Sequence, residues 1–230
     1  MKKILMSALL VSSLVSSAMA FEFISKNERV VIFGGITNVD NADYFIGSIG
    51  NEGSLTAGYT GTKEEAGFSI AIGLEEKVKD GQFGSRKMIT YYDDGKKIYG
   101  DGGYQEIFTD KGIEASYDIF YQLNNHFKPY VGVGIGMNDG TATARKYNTP
   151  APAPGVYTIR WETSGHSYDA TALFRVGITG EIAADIQYYA EYKYRMGGES
   201  AQVSTTNFGS TDNPNPVKHN TVTLGLGYKF

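Results

Sequence analysis

The sequence predicts an all-β chain folded as a transmembrane antiparallel up-and-down β-barrel of eight strands. Three observations predict it. Segments in which apolar and polar residues alternate with a period of two recur along the chain, and the connections between them alternate between short and long. The composition is that of strands and turns, with 29 glycines, 17 tyrosines and 12 phenylalanines in 230 residues. After residue 20 no apolar run reaches the 18 residues of a membrane helix. Any crossing must therefore be made by strands.

Residues 1–20 read as a signal peptide. Lys2 and Lys3 precede an apolar stretch from Ile4 to Val15, and Ala18 and Ala20 place small residues where signal peptidase reads. Cleavage after Ala20 would leave residues 21–230 as the barrel.

The first candidate strand, around Arg29–Thr37, contains the run VVIFGG. It is apolar on both faces, so alternation does not assign its inside. Leu55, Ala57 and Tyr59 form a short strand pattern. Phe68, Ile70, Ile72 and Leu74 then oppose Ser69, Gly73 and Glu75. Ile113, Ala115, Tyr117, Ile119 and Tyr121 oppose Glu114, Ser116, Asp118 and Phe120, and Val131, Val133, Ile135 and Met137 oppose Tyr130 and three glycines. The C-terminal segments are the clearest. Tyr168 to Val176 alternates with Asp169 to Arg175, and Ile186 to Met196 alternates with Asp185 to Arg195. Val222, Leu224, Leu226, Tyr228 and Phe230 alternate with Thr221 to Lys229. A helix would scatter these residues around its circumference.

Short connections fall near Gly61–Ala66, Asn124–Lys128 and Gly180–Ala184. Long loops fall near 38–51, 79–111, 138–165 and 197–218. Short turns on one side and long loops on the other is the asymmetry of outer-membrane barrels. Within the second long loop, Tyr91-Tyr92-Asp93-Asp94-Gly95-Lys96 reads as an external hairpin. Counting its arms as staves gives a ten-stranded alternative.

Alternation alone does not say which face meets lipid. The polar faces mix small residues with opposite charges: Glu75, Glu114, Asp118, Asp185 and Glu191 against Arg175, Lys193 and Arg195. Such a set suits a crowded lumen in which charges must pair. Tyr59, Tyr121, Tyr168, Tyr194 and Tyr228 sit on the apolar faces near strand ends, where an interfacial girdle belongs. The apolar faces are therefore assigned outward.

Three segments carry a family resemblance. The ending Val222-Thr-Leu-Gly-Leu-Gly-Tyr-Lys-Phe230 resembles the C-terminal strand of bacterial outer-membrane proteins. Lys128-Pro-Tyr-Val-Gly-Val-Gly-Ile-Gly136 and Ala190-Glu-Tyr-Lys-Tyr-Arg195 resemble strands of the small OmpA-like barrels. The resemblance implies the outer membrane of a Gram-negative cell, a multi-pass monomer, and contact with outer-membrane lipid and lipopolysaccharide. It also implies recognition by the barrel-assembly machinery through Val222, Leu224, Leu226, Tyr228 and Phe230.

Other chemistry finds little support. The net charge of −4 and the lack of a basic stripe argue against nucleic acid. The absence of cysteine excludes disulfides and thiolate metal sites. Gly132-x-Gly134-x-Gly136 lacks the following helix of a nucleotide fingerprint and fits small residues facing a narrow lumen. His126, His166 and His219 occur singly, without metal-ligand spacing. Asp93-Asp94-Gly95 and Asp101-Gly102 read as turns rather than a calcium loop. His166-Ser167 invites comparison with lipid-deacylating barrels, but adjacent strand residues point to opposite faces. No cofactor, metal or catalytic residue is expected. The expected function is non-enzymatic, with loops that contact host or environmental partners. A narrow porin-like channel is the alternative, and a lipid-modifying enzyme the third reading.

Overall fold

The computed structural model describes residues 28–40, 62–76, 82–99, 104–147, 159–199 and 216–230. The signal peptide with Ala18 and Ala20, the Leu55–Tyr59 segment and Asp101-Gly102 lie outside them. Among the described residues nine strands follow in order: β1 (Glu28–Asp40), β2 (Thr62–Glu64), β3 (Gly67–Glu76), β4 (Phe83–Tyr99), β5 (Tyr104–Tyr121), β6 (Lys128–Tyr147), β7 (Ile159–Glu181), β8 (Ile186–Glu199) and β9 (Pro216–Lys229). Each pairs antiparallel with its neighbours, and β4 pairs with β5 to close the ring. β2 and β3 both pair with β4 and make one stave, so the barrel has eight. Closure gives each of the eight staves ladder partners on both sides, with β2 itself pairing only with β4 among the described residues.

The barrel is inside out. Ile135, Met137, Tyr168 and Leu224 are 70, 71, 74 and 61% exposed on its outer wall, whereas Asp118, Arg195 and Arg86 inside are 0, 1 and 2% exposed. In water such a wall would forfeit the burial of its apolar side chains. Hydrocarbon is the solvent that suits it, and this is the architecture of a transmembrane barrel.

At one end the turns are tight. Asn124 and Phe127 bridge, and the Asn124 side chain accepts the His126 N–H at 2.9 Å. The Ile182 N–H donates to the Ile186 carbonyl at 2.8 Å across the β7–β8 turn. The chain end closes against the same rim, where the Phe230 N–H donates to the Val30 carbonyl at 3.0 Å.

The N-terminal staves differ from the expectation. β4 runs unbroken through the segment expected to form an external hairpin, pairing with β3 on one side and β5 on the other. Its turn signal is a bulge between Asp93 and Lys96. Gly95 takes φ 77°, and its N–H donates to Asp93 Oδ1 at 3.0 Å. The residue chemistry that tightens a turn also inserts an extra residue into a strand. The expected Gly61–Ala66 turn is likewise replaced, because Thr62–Glu64 pairs with Lys97–Tyr99 as an outward extension of the β3 stave. The long loops near 79–111 and 138–165 are largely strand. β4 and β5 occupy most of the first, and β6 and β7 continue to Tyr147 and from Ile159 in the second. Both pairs stay hydrogen-bonded well beyond the apolar belt.

Candidate functional site: the charged lumen

Among the described residues, inward-facing side chains build three tiers of ion pairs between the loop end and the turn end. In the tier nearest the loop end, Arg195 Nη1 lies 2.8 Å from Asp94 and 3.5 Å from Asp110, while its Nε donates to Glu114 at 2.8 Å. Lys193 donates to the other Glu114 oxygen at 2.6 Å. The Arg195 guanidinium lies 3.9 Å from the Tyr92 ring centroid, a cation–π contact that shields one of its faces. Asp94 continues the inward alternation of Arg86, Met88, Thr90 and Tyr92, and the bulge begins at its level.

In the middle tier Arg175 binds Glu191 through Nε at 2.6 Å and through Nη2, and reaches Asp118 at 3.5 Å and the Ser116 hydroxyl. Arg86 donates to the other Asp118 oxygen through Nε and Nη2 at 3.1 and 3.0 Å. The Arg86 guanidinium lies 4.9 Å from the Phe33 ring centroid and 4.7 Å from that of Tyr130. The Tyr130 hydroxyl donates to Glu191 at 2.8 Å. Gly132 makes room for this tier, since a Cβ there would collide with the Asp118 carboxylate.

At the turn end Lys229 lies 2.7 Å from Glu181 and 4.0 Å from Glu75, and Lys128 lies 3.4 and 3.9 Å from the same two acids. Partial burial alone would raise the Glu181 carboxyl. The Lys229 bond, with Lys128 adding to it, outweighs that and holds the carboxyl below the usual carboxylate range.

Of the expected network, Glu75, Glu114, Asp118, Arg175, Glu191, Lys193 and Arg195 all lie inside this stack. Asp185 does not. It is exposed in the β7–β8 turn, one residue before alternation resumes, and its carbonyl accepts the Lys229 N–H at 2.9 Å. Sequence reasoning missed Arg86, Asp94, Asp110, Lys128, Glu181 and Lys229. Lys128 and Lys229 carried a usable signal, because each stands on the inward parity of a strand already assigned. Arg86 and Asp94 did not, because their strand was unrecognised.

Between the charges of Glu75, Arg86 and Asp94, the lumen wall formed by β1, β3 and β4 carries an apolar patch. Val31, Phe33, Ala71 and Met88 form a buried cluster with Tyr189, and Phe33 meets Tyr189 edge-on at 5.1 Å. A gap of about 10 Å³ between this cluster and Arg86, Arg175, Glu191 and Lys193 has room for a single water. Among the described residues no group of three or more histidines or acids could hold a metal ion. His166 stands on the outer wall, with Nδ1 3.2 Å from the Thr141 hydroxyl and 3.9 Å from Asp139. Asp and hydroxyl share one ring nitrogen there, whereas a nucleophile and its orienting acid need opposite ones.

The outward residues of β9, namely Val222, Leu224, Leu226, Tyr228 and Phe230, are all exposed, and the Tyr228 and Phe230 rings meet at 4.8 Å.

No protein-family model matches the sequence, and no curated protein matches it. Solved structures similar to this chain include Neisserial surface protein A, at 15% identity and a TM-score of 0.48, with 89% of this chain and 98% of that one covered. Ail, the attachment invasion locus protein of Yersinia pestis, gives 14%, 0.42, and 88 and 97% coverage. The outer membrane protein OprG from Pseudomonas aeruginosa gives 13%, 0.40, and 89 and 97%.

Proposed function

We propose that the protein is a non-enzymatic, surface-exposed barrel of a Gram-negative outer membrane, with a sealed lumen and external loops that meet host or environmental partners. The observation that carries this reading is the stack of ion pairs. Its middle and turn-end tiers each match two cations with two carboxylates, and a path for solute would need those charges to part. Chemistry on substrates has no place in such a lumen, so contact with partners falls to the connections at the loop end. The apolar residues of β9 serve as the assembly signal, and export through the cleaved signal peptide leaves Phe21 at the mature N-terminus.

A narrow ion path is the second reading. It is favoured by buried polar atoms that lack a partner among the described residues, including both amide atoms of Gln187 and the Thr221 hydroxyl. Such atoms call for water inside the barrel.

Refolding into lipid vesicles tests the membrane placement. The protein should fold into them as a species that changes gel mobility on heating. Leu224→Arg should cost about 2–4 kcal/mol near the bilayer midplane. Stability of Leu224→Arg equal to wild type would contradict the assignment of faces.

A further inference from the structure

On the outer wall, above the apolar belt, two interruptions meet at one level. The break between β2 and β3 at Glu65–Ala66 lies opposite the β4 bulge, and the Glu65 N–H bridges them by donating to the Lys96 carbonyl at 2.9 Å. Between them opens a notch of about 390 Å³. Its floor is Phe68, whose ring lies 6.0 Å from that of Tyr91 at the upper margin of the belt. Asp93, Lys96, Lys111 and Glu65 line its sides.

The bulge sets this charge pattern. Without the extra residue, strict alternation would turn Lys96 inward with Asp94. With it, Asp94 points to Arg195 while Lys96 pairs with Thr109, on the same face as Lys111 and Ile113. Two ammonium groups and two carboxylates therefore border one recess. Lys96 forms no ion pair among the described residues. Among the described residues Lys111 has one ion pair, an exposed bridge to Asp139 at 3.3 Å, which a ligand can displace at little cost.

The geometry points to a site for a membrane lipid whose headgroup carries both a phosphate and an amine, seated in this notch with its acyl chains descending over Phe68, Tyr91 and Ile113. The apolar floor, continuous with the belt, selects an amphiphile over a soluble ion. The paired charges select a zwitterion. A purely anionic headgroup would meet Asp93 and Glu65, and a purely cationic one would meet both lysines. The phosphate lies toward Lys96 and Lys111, and the amine toward Glu65 and Asp93. The site rests on the transmembrane reading above.

The test is native mass spectrometry of the full-length barrel released from detergent micelles containing phosphatidylethanolamine or phosphatidylglycerol. Wild type should retain the ethanolamine lipid in preference to the glycerol lipid. Lys96→Gln with Lys111→Gln should weaken retention about tenfold, as expected for losing two exposed charge contacts. Glu65→Gln should narrow the preference between the two lipids. Lys87→Gln, on the same wall near the turn end and paired with Glu28 at 3.5 Å, should leave retention unchanged. Equal retention of both lipids, or retention unaffected by the double substitution, would overturn the site. Heat-modifiable migration of each variant, read in parallel, reports separately on the transmembrane fold. Wild type that never enters bilayers would sink the underlying reading instead.

Discussion

The two sides of the lumen are built on different chemistry. Strands β5 to β9 line it with Glu114, Asp118, Arg175, Glu191, Lys193 and Arg195, while β1 and β3, with Met88 of β4, present Val31, Phe33 and Ala71. The apolar wall is not a separate core, since Phe33 stacks beneath Arg86, which is bound to Asp118 across the β4–β5 seam. One side supplies charges that must be matched, and the other supplies a surface of low polarity against which they are matched. A guanidinium pressed against a ring loses water on that side, so its remaining hydrogen bonds must come from carboxylates. The difference predicts that the charged side depends on the identity of each partner and the apolar side mainly on volume.

Arg175→Met should have the largest effect. It leaves Glu191 and Asp118 short of a buried cation, and unfolding in urea from lipid vesicles should show a loss of about 3–5 kcal/mol. Arg175→Lys should not restore it, because a single ammonium lacks the fork that spans Glu191, Asp118 and Ser116. Wild-type stability in Arg175→Met would mean that these charges are solvated rather than sealed.

Gly95→Ala comes next. The left-handed backbone at φ 77° costs a Cβ about 1–2 kcal/mol, and the added methyl would also press on the Glu65 carbonyl. Because Gly95 directly follows Asp94, whose carboxylate meets Arg195, this substitution in the N-terminal half should also weaken the tier nearest the loop end. A double-mutant cycle with Asp94→Asn reads that dependence. Additive losses would show that bulge and ion pair are independent.

Phe33→Leu should be the mildest, at about 1 kcal/mol by the same urea titration, because a hydrophobic swap preserves most of the packing. A loss as large as that of Arg175→Met would erase the distinction between the two sides.

This asymmetry also explains what could be read in the sequence. Where the lumen is charged, lipid and lumen faces differ in polarity, and the period of two is plain from Ile113 to Phe230. Where the lumen is apolar, Val31 and Phe33 inside stand beside Ile32 and Ile36 outside, and the alternation disappears although the strand is regular. β4 was obscured differently. Lys87 faces outward on its lower part, paired with Glu28, and Asp93-Asp94-Gly95 carries the residues of a turn. Local chemistry does not distinguish a bulge from a turn; the pairing of both flanks with β3 and β5 does. Eight strands were legible, but one of those counted, Leu55–Tyr59, lies outside the described residues, and the ring closes with β4 instead. Of the charged tiers, the members on clearly alternating strands were legible, and Asp185 was misplaced because a turn interrupts the alternation there.

The central claim is that the ion-paired lumen is closed, and single-channel recording in planar lipid bilayers tests it most directly. Wild-type protein inserted at neutral pH should show no steady conductance above the lipid baseline, whereas Arg175→Met, with its carboxylates unmatched, should admit water and produce discrete openings. A large, steady wild-type conductance that persists unchanged in Arg175→Met would contradict the account.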